Sequence, residues 1–484
     1  MPISSDNSQI KDTQPDLPSP PERGTRGEAV IAIFDIGKTN KKLFLFNRDY
    51  KIVYEQSNPF AETTDEDGFP CENIENLRSF VLDALNEVSK KKEVDIKAVN
   101  FSTYGASFVY LDEEGKPVAP LYNYLKPYPQ YLQKKFYHKY GGEEEFSYRT
   151  ASPALGSLNS GMQLYRIKYE KPDIFKQIKY ALHLPQYLSY LLTGKFYSDI
   201  TSIGCHTNLW DFQKNDYHEW VYKEGIAEKL PPIVSATEVF PAVLRNANYH
   251  VGVGLHDSSA ALIPYLVCFK EPFVLISTGT WCISLNPFNQ TPLTAKELQQ
   301  DCLSYLQYNG MPVKASRLFA GNEHEEQVKK IADHFSQHID CYRTVKFDAE
   351  KIKALKKKVA PADVSDTKEI ISKSLFAKRN LSQFVSYEEA YHQLIQDIVT
   401  QQQASTKLIL QGAAVKQIFV DGGFSKNPVY MNLLAEAFPD FEVFAASMAQ
   451  ATSVGTALAI HNAWNDKQLP NNIIELKKYD YNHS

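Results

Sequence analysis

Three observations predict an α/β fold of two similar halves with a cleft between them. Hydrophobic, β-rich runs end in small glycine-containing turns at three places: Ile-Phe-Asp-Ile-Gly-Lys-Thr-Asn (33–40), Ile-Ser-Thr-Gly-Thr-Trp (276–281) and Phe-Val-Asp-Gly-Gly (419–423). The pattern of strands followed by a helix occurs twice along the chain. A fourth segment, Gly-Val-Gly-Leu-His-Asp-Ser-Ser-Ala-Ala (252–261), sets a carboxylate among residues with almost no side chains. Glycine accepts positive φ and close approach, so backbone N–H groups in such turns can converge on phosphate oxygens. Three turns of this kind suggest a nucleotide, and Asp257 is the candidate general base.

The first pass opens with apolar runs at 30–36 and 43–46 and a third strand at 51–55, an antiparallel meander. A helix is predicted over 73–89, where Ile74, Leu77, Val81, Leu85 and Val88 recur at three-to-four-residue spacing. A strand at 98–102 follows. The second pass begins with strands at 273–277 and 282–285 around the Thr-Gly-Thr turn. A helix at 386–400 carries a capping box, Ser386 with Glu389, and a stripe of Ala390, Tyr391, Leu394, Ile395 and Ile398 that reads as core. Next come a strand at 417–420 and a helix at 427–438 with Pro428 in its first turn. The lysine-rich region 346–375 reads as a helical surface insertion; residues 201–211 carry polar groups that could line a cleft, but read rather as a structural loop at the base of the first domain.

A chain of 484 residues exceeds what one core accommodates, so two domains are expected. The net charge of −5 is spread without long single-sign blocks, which argues against nucleic acid or an anionic membrane as partner. Lys41 and Lys42 read as surface residues. No stretch has the roughly 20 apolar residues needed to span a bilayer. Residues 1–27 are polar, lack the apolar segment of a signal peptide and read as a disordered tail. Six cysteines are scattered with no Cys-x-x-Cys pair, so neither a zinc site nor a disulfide framework is expected, and the location is read as cytoplasmic.

With four motifs in this order, the chain over about 28–465 resembles the FGGY family of carbohydrate kinases. The resemblance implies two actin-like, ribonuclease H-like ATPase domains with a nucleotide and sugar cleft between them: 28–264 carrying sugar and the first phosphate motif, 265–466 carrying nucleotide, and a C-terminal tail at 467–484. It implies ATP and Mg²⁺ as cofactors and a small-molecule sugar as substrate. Asp35 would place the metal, usually through water. Gly37, Lys38, Thr39 and Asn40 would form the first phosphate turn, and Thr278, Gly279 and Thr280 the second. Gly422, Gly423 and Asn427 belong to the adenosine motif. His256 and Asp257 match the segment that carries the family's catalytic aspartate. Residues 451–459 resemble the small-residue helix that packs near the interdomain hinge. Family members occur as monomers and dimers, which leaves a homodimer open.

The residue types suit phosphoryl transfer on their own terms. That chemistry requires charge neutralisation, in-line alignment and a carboxylate that takes the acceptor proton. For Asp257 the plainer role is N-cap of the helix that follows, a role compatible with catalysis; for Asp35 it is capping a turn. His256 either packs or touches sugar. Most family members have Thr or Ser where this chain has Lys38, which either reaches phosphate or simply faces solvent. At 102–112, Tyr104, Gly105 and Ser107 resemble the Thr-aromatic-Gly-Val-Asp pattern of the L-rhamnulose and L-fuculose kinase branch, with Ser107 replacing the aspartate. That favours a 6-deoxy-ketohexose, while the swap leaves a polyol or another pentulose or hexulose open. A sugar-free alternative is an actin-like ATPase that uses nucleotide as a switch.

Overall fold

Along the first strand, Val30, Ala32, Phe34 and Ile36 face one way and Ile31 and Ile33 the other, and all six are fully buried. A strand covered on both faces reads as an unbroken apolar run. The computed structural model describes residues 27–38, 40–245, 247–358, 367–448 and 450–480. Thr39 and the expected tail up to residue 26 lie outside the described residues.

Two mixed sheets repeat one topology. The first runs Ile52–Asn58, Lys41–Asn47, Glu28–Ile36, Val94–Thr103 and His250–Gly252, with Val239–Pro241 at its edge. The second runs Pro312–Leu318, Cys282–Asn286, Phe273–Thr278, Gln417–Gly422 and Glu442–Ser447, with Cys302–Leu306 and Glu475–Tyr479 at its edges. In each, an antiparallel meander lies beside two parallel strands. The last edge strand falls in the segment expected to be a tail. Its sequence, Glu-Leu-Lys-Lys-Tyr, is too charged to read as a strand, yet edge positions favour such residues.

Helix Ile74–Val88 covers one face of the first sheet, its N-terminus capped by Asn73, whose side chain accepts from Glu75 and Asn76. Helix Tyr387–Leu410 covers the second sheet and runs ten residues beyond the predicted end. Its last turns bury polar side chains that hydrophobic spacing cannot reveal: Gln402 donates to Ser284 and Thr406, and Ser405 to Ser316. Ser386 Oγ accepts from Glu389 N–H, but the Glu389 carboxylate returns to Val385 rather than Ser386. The lysine-rich region holds helices Ala349–Lys358 and Thr367–Ser372, the first anchored by buried Ile352 and Leu355; residues 359–366 lie outside the described residues.

Helix Asp257–Cys268 joins the two halves, so a domain boundary at 264 falls inside it. Ala260 and Ile263 pack with Ile31 and Ile33, while Leu262 and Tyr265 pack with Phe273 and Leu275. Pro264 lies within this helix and has no N–H for the Ala260 carbonyl. Helix Ala451–Ala459 crosses at that point. A Cβ built on Gly455 would lie 1.8 Å from the Ala260 oxygen, so only glycine fits. Gly455→Val is therefore expected to destabilise the protein by about 1–3 kcal/mol through overpacking, read as a lowered thermal midpoint; an unchanged midpoint contradicts this contact.

Candidate active site

Parallel pairing brings the key residues to neighbouring strand ends. Asp35 pairs with Ser102, Leu255 with Ser102 and His256 with Thr103. The crevice beyond the carboxyl ends of parallel strands is where open α/β sheets bind ligands. Asp35 accepts from Ser102 Oγ at 3.4 Å and from Ser453 Oγ at 2.9 Å, the latter on helix Ala451–Ala459. Burial pushes its carboxyl up to about 6 against both hydroxyl bonds, and the nearby Asp257 charge adds to the rise. The two carboxylates thus share one cleft.

Asp257 is the first residue of its helix, not the N-cap; His256 holds that position with extended backbone and no side-chain cap bond. The Asp257 carboxylate accepts from Ser258 N–H at 2.6 Å and Oγ at 3.3 Å. Its side chain is 35% exposed toward the cleft. Desolvation nevertheless raises its carboxyl to about 6, outweighing the Ser258 bonds that favour the charge. His256 Nε2 is 3.4 Å away, but burial lowers that imidazole to about 4, so at neutral pH the contact is not an ion pair.

Gly105 exists to admit His256. A Cβ there would lie 2.7 Å from the ring's Cδ2 and Nε2. Ala106 takes φ 58° in the same turn, and its carbonyl accepts from Gln163 Nε2 at 2.7 Å. Ser107 Oγ, Gln163 Oε1 and His256 Nδ1 are buried without hydrogen-bond partners among the described residues. Tyr104 is buried beside Glu72 and Tyr124.

Lys38 neither lies free in solvent nor points unpaired at the turn: its ammonium is 2.7 Å from Glu62 and 3.6 Å from Glu72. Lys41 is a correction to the surface assignment. It is 2% exposed, and its ammonium donates to Glu72 at 2.8 Å and to the Lys38 carbonyl at 2.8 Å, tying the turn after strand Glu28–Ile36 to the loop before helix Ile74–Val88. Residues 201–211 are also corrected. Thr201 Oγ1 accepts from His256 N–H at 3.0 Å, and Cys205 and His206 stand beside His256, so the segment lines the cleft. Its small polar residues and Gly204, pressed on Leu306, were the available signal.

Equivalent turns close on both sides. Gly37 N–H donates to Asn40 O at 2.9 Å, and Gly279 N–H to Trp281 O at 2.9 Å. Thr278 Oγ1 donates to Asp421 O at 2.5 Å and accepts from Phe424 N–H at 3.0 Å, while its carbonyl accepts from Gly423 N–H. Gly422 has φ 89° with Thr278 O pressed where a Cβ would be, which makes glycine obligatory. Gly321, absent from the sequence reading, would drive a Cβ into Gly279 O at 1.9 Å. Thr278, Gly279, Thr280, Gly321, Gly423 and Asn427 line a cavity of about 730 Å³, a size suited to a nucleotide. Asn427 caps helix Pro428–Ala437 and donates to Tyr391 OH at 2.8 Å. Tyr265, two turns along the Asp257 helix, donates to Asp421 at 2.9 Å and so ties the strand-end turn of the second sheet to that helix.

Asp35 ionises near 3.8 ordinarily and about 6 in the fold. Its protonated form therefore contributes stability that is fully present below 3.8 and is lost as pH rises through about 6. Asparagine stays neutral. Asp35→Asn is expected to raise the thermal midpoint at pH 7.5 by about 2–4 °C, on the order of 1 kcal/mol, with the gain shrinking toward pH 4. A variant that melts at or below the native protein at pH 7.5 contradicts the burial of an uncompensated charge.

The N-terminal domain of the FGGY family of carbohydrate kinases matches residues 30–263, and the family's C-terminal domain matches 270–365 and 350–464. A rhamnulokinase from Halalkalibacterium halodurans is 27% identical over 51% of this chain and 54% of its own length. An L-fuculokinase from Escherichia coli is 24% identical over 52% of this chain and 56% of its own. The chain spans about half the length of the curated relatives it matches. A carbohydrate kinase from Novosphingobium aromaticivorans superimposes with a TM-score of 0.76 at 24% identity, covering 94% of each chain. A xylulose kinase from Lactobacillus acidophilus gives 0.74 at 16%, also over 94% of each. These likenesses carry the two-domain, actin-like fold, and with the domain matches on both sides of the cleft the chain belongs to the FGGY family of carbohydrate kinases.

Proposed function

We propose that this protein transfers the γ-phosphoryl group of ATP to a hydroxyl of a ketose sugar, with Asp257 as general base. The observation that carries the reading is a desolvated, partly exposed carboxylate close enough to a second one for its charge to be felt there, in a chain whose other half holds a glycine-walled cavity. ATP would lie in that cavity with its phosphates toward the turns at 37–40 and 278–280. Asp35, whose hydrogen bonds among the described residues come from hydroxyls and not from cations, suits a place beside hydrated Mg²⁺. When bound, that ion neutralises phosphate charge.

Asp257 takes the acceptor proton as the new P–O bond forms, and a group poised near 6 is largely ionised at neutral pH while still basic enough to accept it. The Ser258 bonds aim the carboxylate. Ser107 Oγ, Gln163 Oε1 and His256 Nδ1 offer polar atoms to sugar hydroxyls from the wall that Gly105 opens. The rhamnulokinase and fuculokinase relatives, together with the 104–107 turn, support a 6-deoxy-ketohexose such as L-rhamnulose or L-fuculose. Among the described residues no helix is long and apolar enough to cross a membrane, and all six cysteines are free, which supports a cytoplasmic enzyme.

Coupled ADP release across ketoses, aldoses and polyols tests the reading. Turnover is expected only with a sugar acceptor and strongest with a 6-deoxy-ketohexose; sugar-independent turnover contradicts it. Asp257→Asn is expected to lower kcat by about 10²–10⁴-fold with ATP affinity nearly unchanged. Because only the ionised base works, kcat/KM should fall as pH drops through about 6. A flat profile between pH 5 and 8 argues for another base.

A further inference from the structure

Phosphoryl transfer assigns no task to Cys205 or His206, yet both stand beside His256. One ligand atom from each of the three residues lies within 4.8 Å of the others. Cys205 Sγ is 3.6 Å from His256 Nε2, and Asp257 Oδ1 is 3.4 Å from the same nitrogen. Zinc bonds sulfur at about 2.3 Å and nitrogen or oxygen at about 2.0–2.2 Å, so a tetrahedral ion separates S from N by about 3.6 Å and O from N by about 3.4 Å. The side chains already hold those spacings.

The surroundings prepare these donors. His206 Nδ1 lies 3.2 Å from the Leu158 carbonyl, which places its proton there and leaves Nε2 a lone pair, the arrangement by which proteins orient metal-binding imidazoles. His256 Nδ1 is buried with no partner among the described residues. Burial holds both rings neutral, lowering His206 to about 3 and His256 to about 4, and neutral imidazole is the ligating form. Burial also pushes the Cys205 thiol up, so a metal must displace its proton: Cys–SH and M²⁺ give Cys–S–M⁺ and H⁺. Arg317 faces the pair from the second domain with its charge met bidentately by Asp301, and nearby His183 is committed to Ser160 at 3.0 Å.

We propose that Cys205, His206 and His256 form a site for a thiophilic divalent cation of the Zn²⁺ type, which draws in Asp257 as its fourth ligand and so switches transfer off. Thiolate with imidazole selects such ions over Mg²⁺, which takes oxygen ligands. Binding stands apart from the kinase reading; inhibition rests on it.

Titration of the nucleotide-free protein with Co²⁺ is the test. One equivalent per chain, a sulfur-to-cobalt charge-transfer band and release of one proton are expected. Cys205→Ser should remove the band and weaken binding by more than roughly 100-fold; His206→Gln, checked for folding by circular dichroism, should weaken binding as well. Zn²⁺ should inhibit the native protein, with recovery on chelation. The site is overturned if the native protein binds no stoichiometric Co²⁺ or if both variants bind as tightly as it does. Binding with turnover fully retained overturns the recruitment of Asp257.

Discussion

The structure turns on one helix. Asp257–Cys268 begins with the carboxylate at the cleft, packs Ala260 and Ile263 on the first sheet and Leu262 and Tyr265 on the second, and reaches Asp421 through the Tyr265 hydroxyl. Everything that must stay in register across the cleft is tied to it. The crossing of Gly455 over Ala260 fixes where helix Ala451–Ala459 lies, and that helix supplies Ser453 to Asp35. Sub-ångström control of reacting groups requires such packed supports, since a site built on loops alone drifts.

The same geometry holds two carboxylates where water is scarce. Burial raises both to about 6, and the Asp257 charge adds to the rise at Asp35. An arrangement that costs stability in the free protein would become favourable if, as proposed, a cation and phosphate share the space, because attraction strengthens in a low-dielectric site. The neutral state of His256 fits this economy of charge, and a soft cation at Cys205 would subvert it by turning Asp257 from base to ligand.

Features encoded by local spacing were readable in the chain. Helix Ile74–Val88 sits where its stripe and Asn73 cap place it, and the three strand-to-glycine turns occur at the ends of the strands that carry them. Features encoded by distant partners were not. Lys41 reads as surface because Glu72, its partner, lies 31 residues away. Helix Tyr387–Leu410 outruns its apolar stripe because Gln402, Ser405 and Thr406 are satisfied by strand hydroxyls. Thr201, Cys205 and His206 reach the cleft only through the fold, and their polar, small character looks the same in a surface loop. Small neighbours on both sides of Asp257 are a local signature that singles the residue out, but its position one residue inside the helix leaves no such trace.

In the proposed kinase, one carboxylate faces an acceptor sugar across a nucleotide held by glycine turns. A crystal structure with a non-hydrolysable ATP analogue, Mg²⁺ and L-rhamnulose tests it most directly. Phosphates are expected against Gly37 and Gly279, the base in the cavity beside Asn427, and a sugar hydroxyl within hydrogen-bond reach of Asp257, about 2.6–3.2 Å. A nucleotide bound elsewhere, or a sugar with no hydroxyl near Asp257, would contradict it.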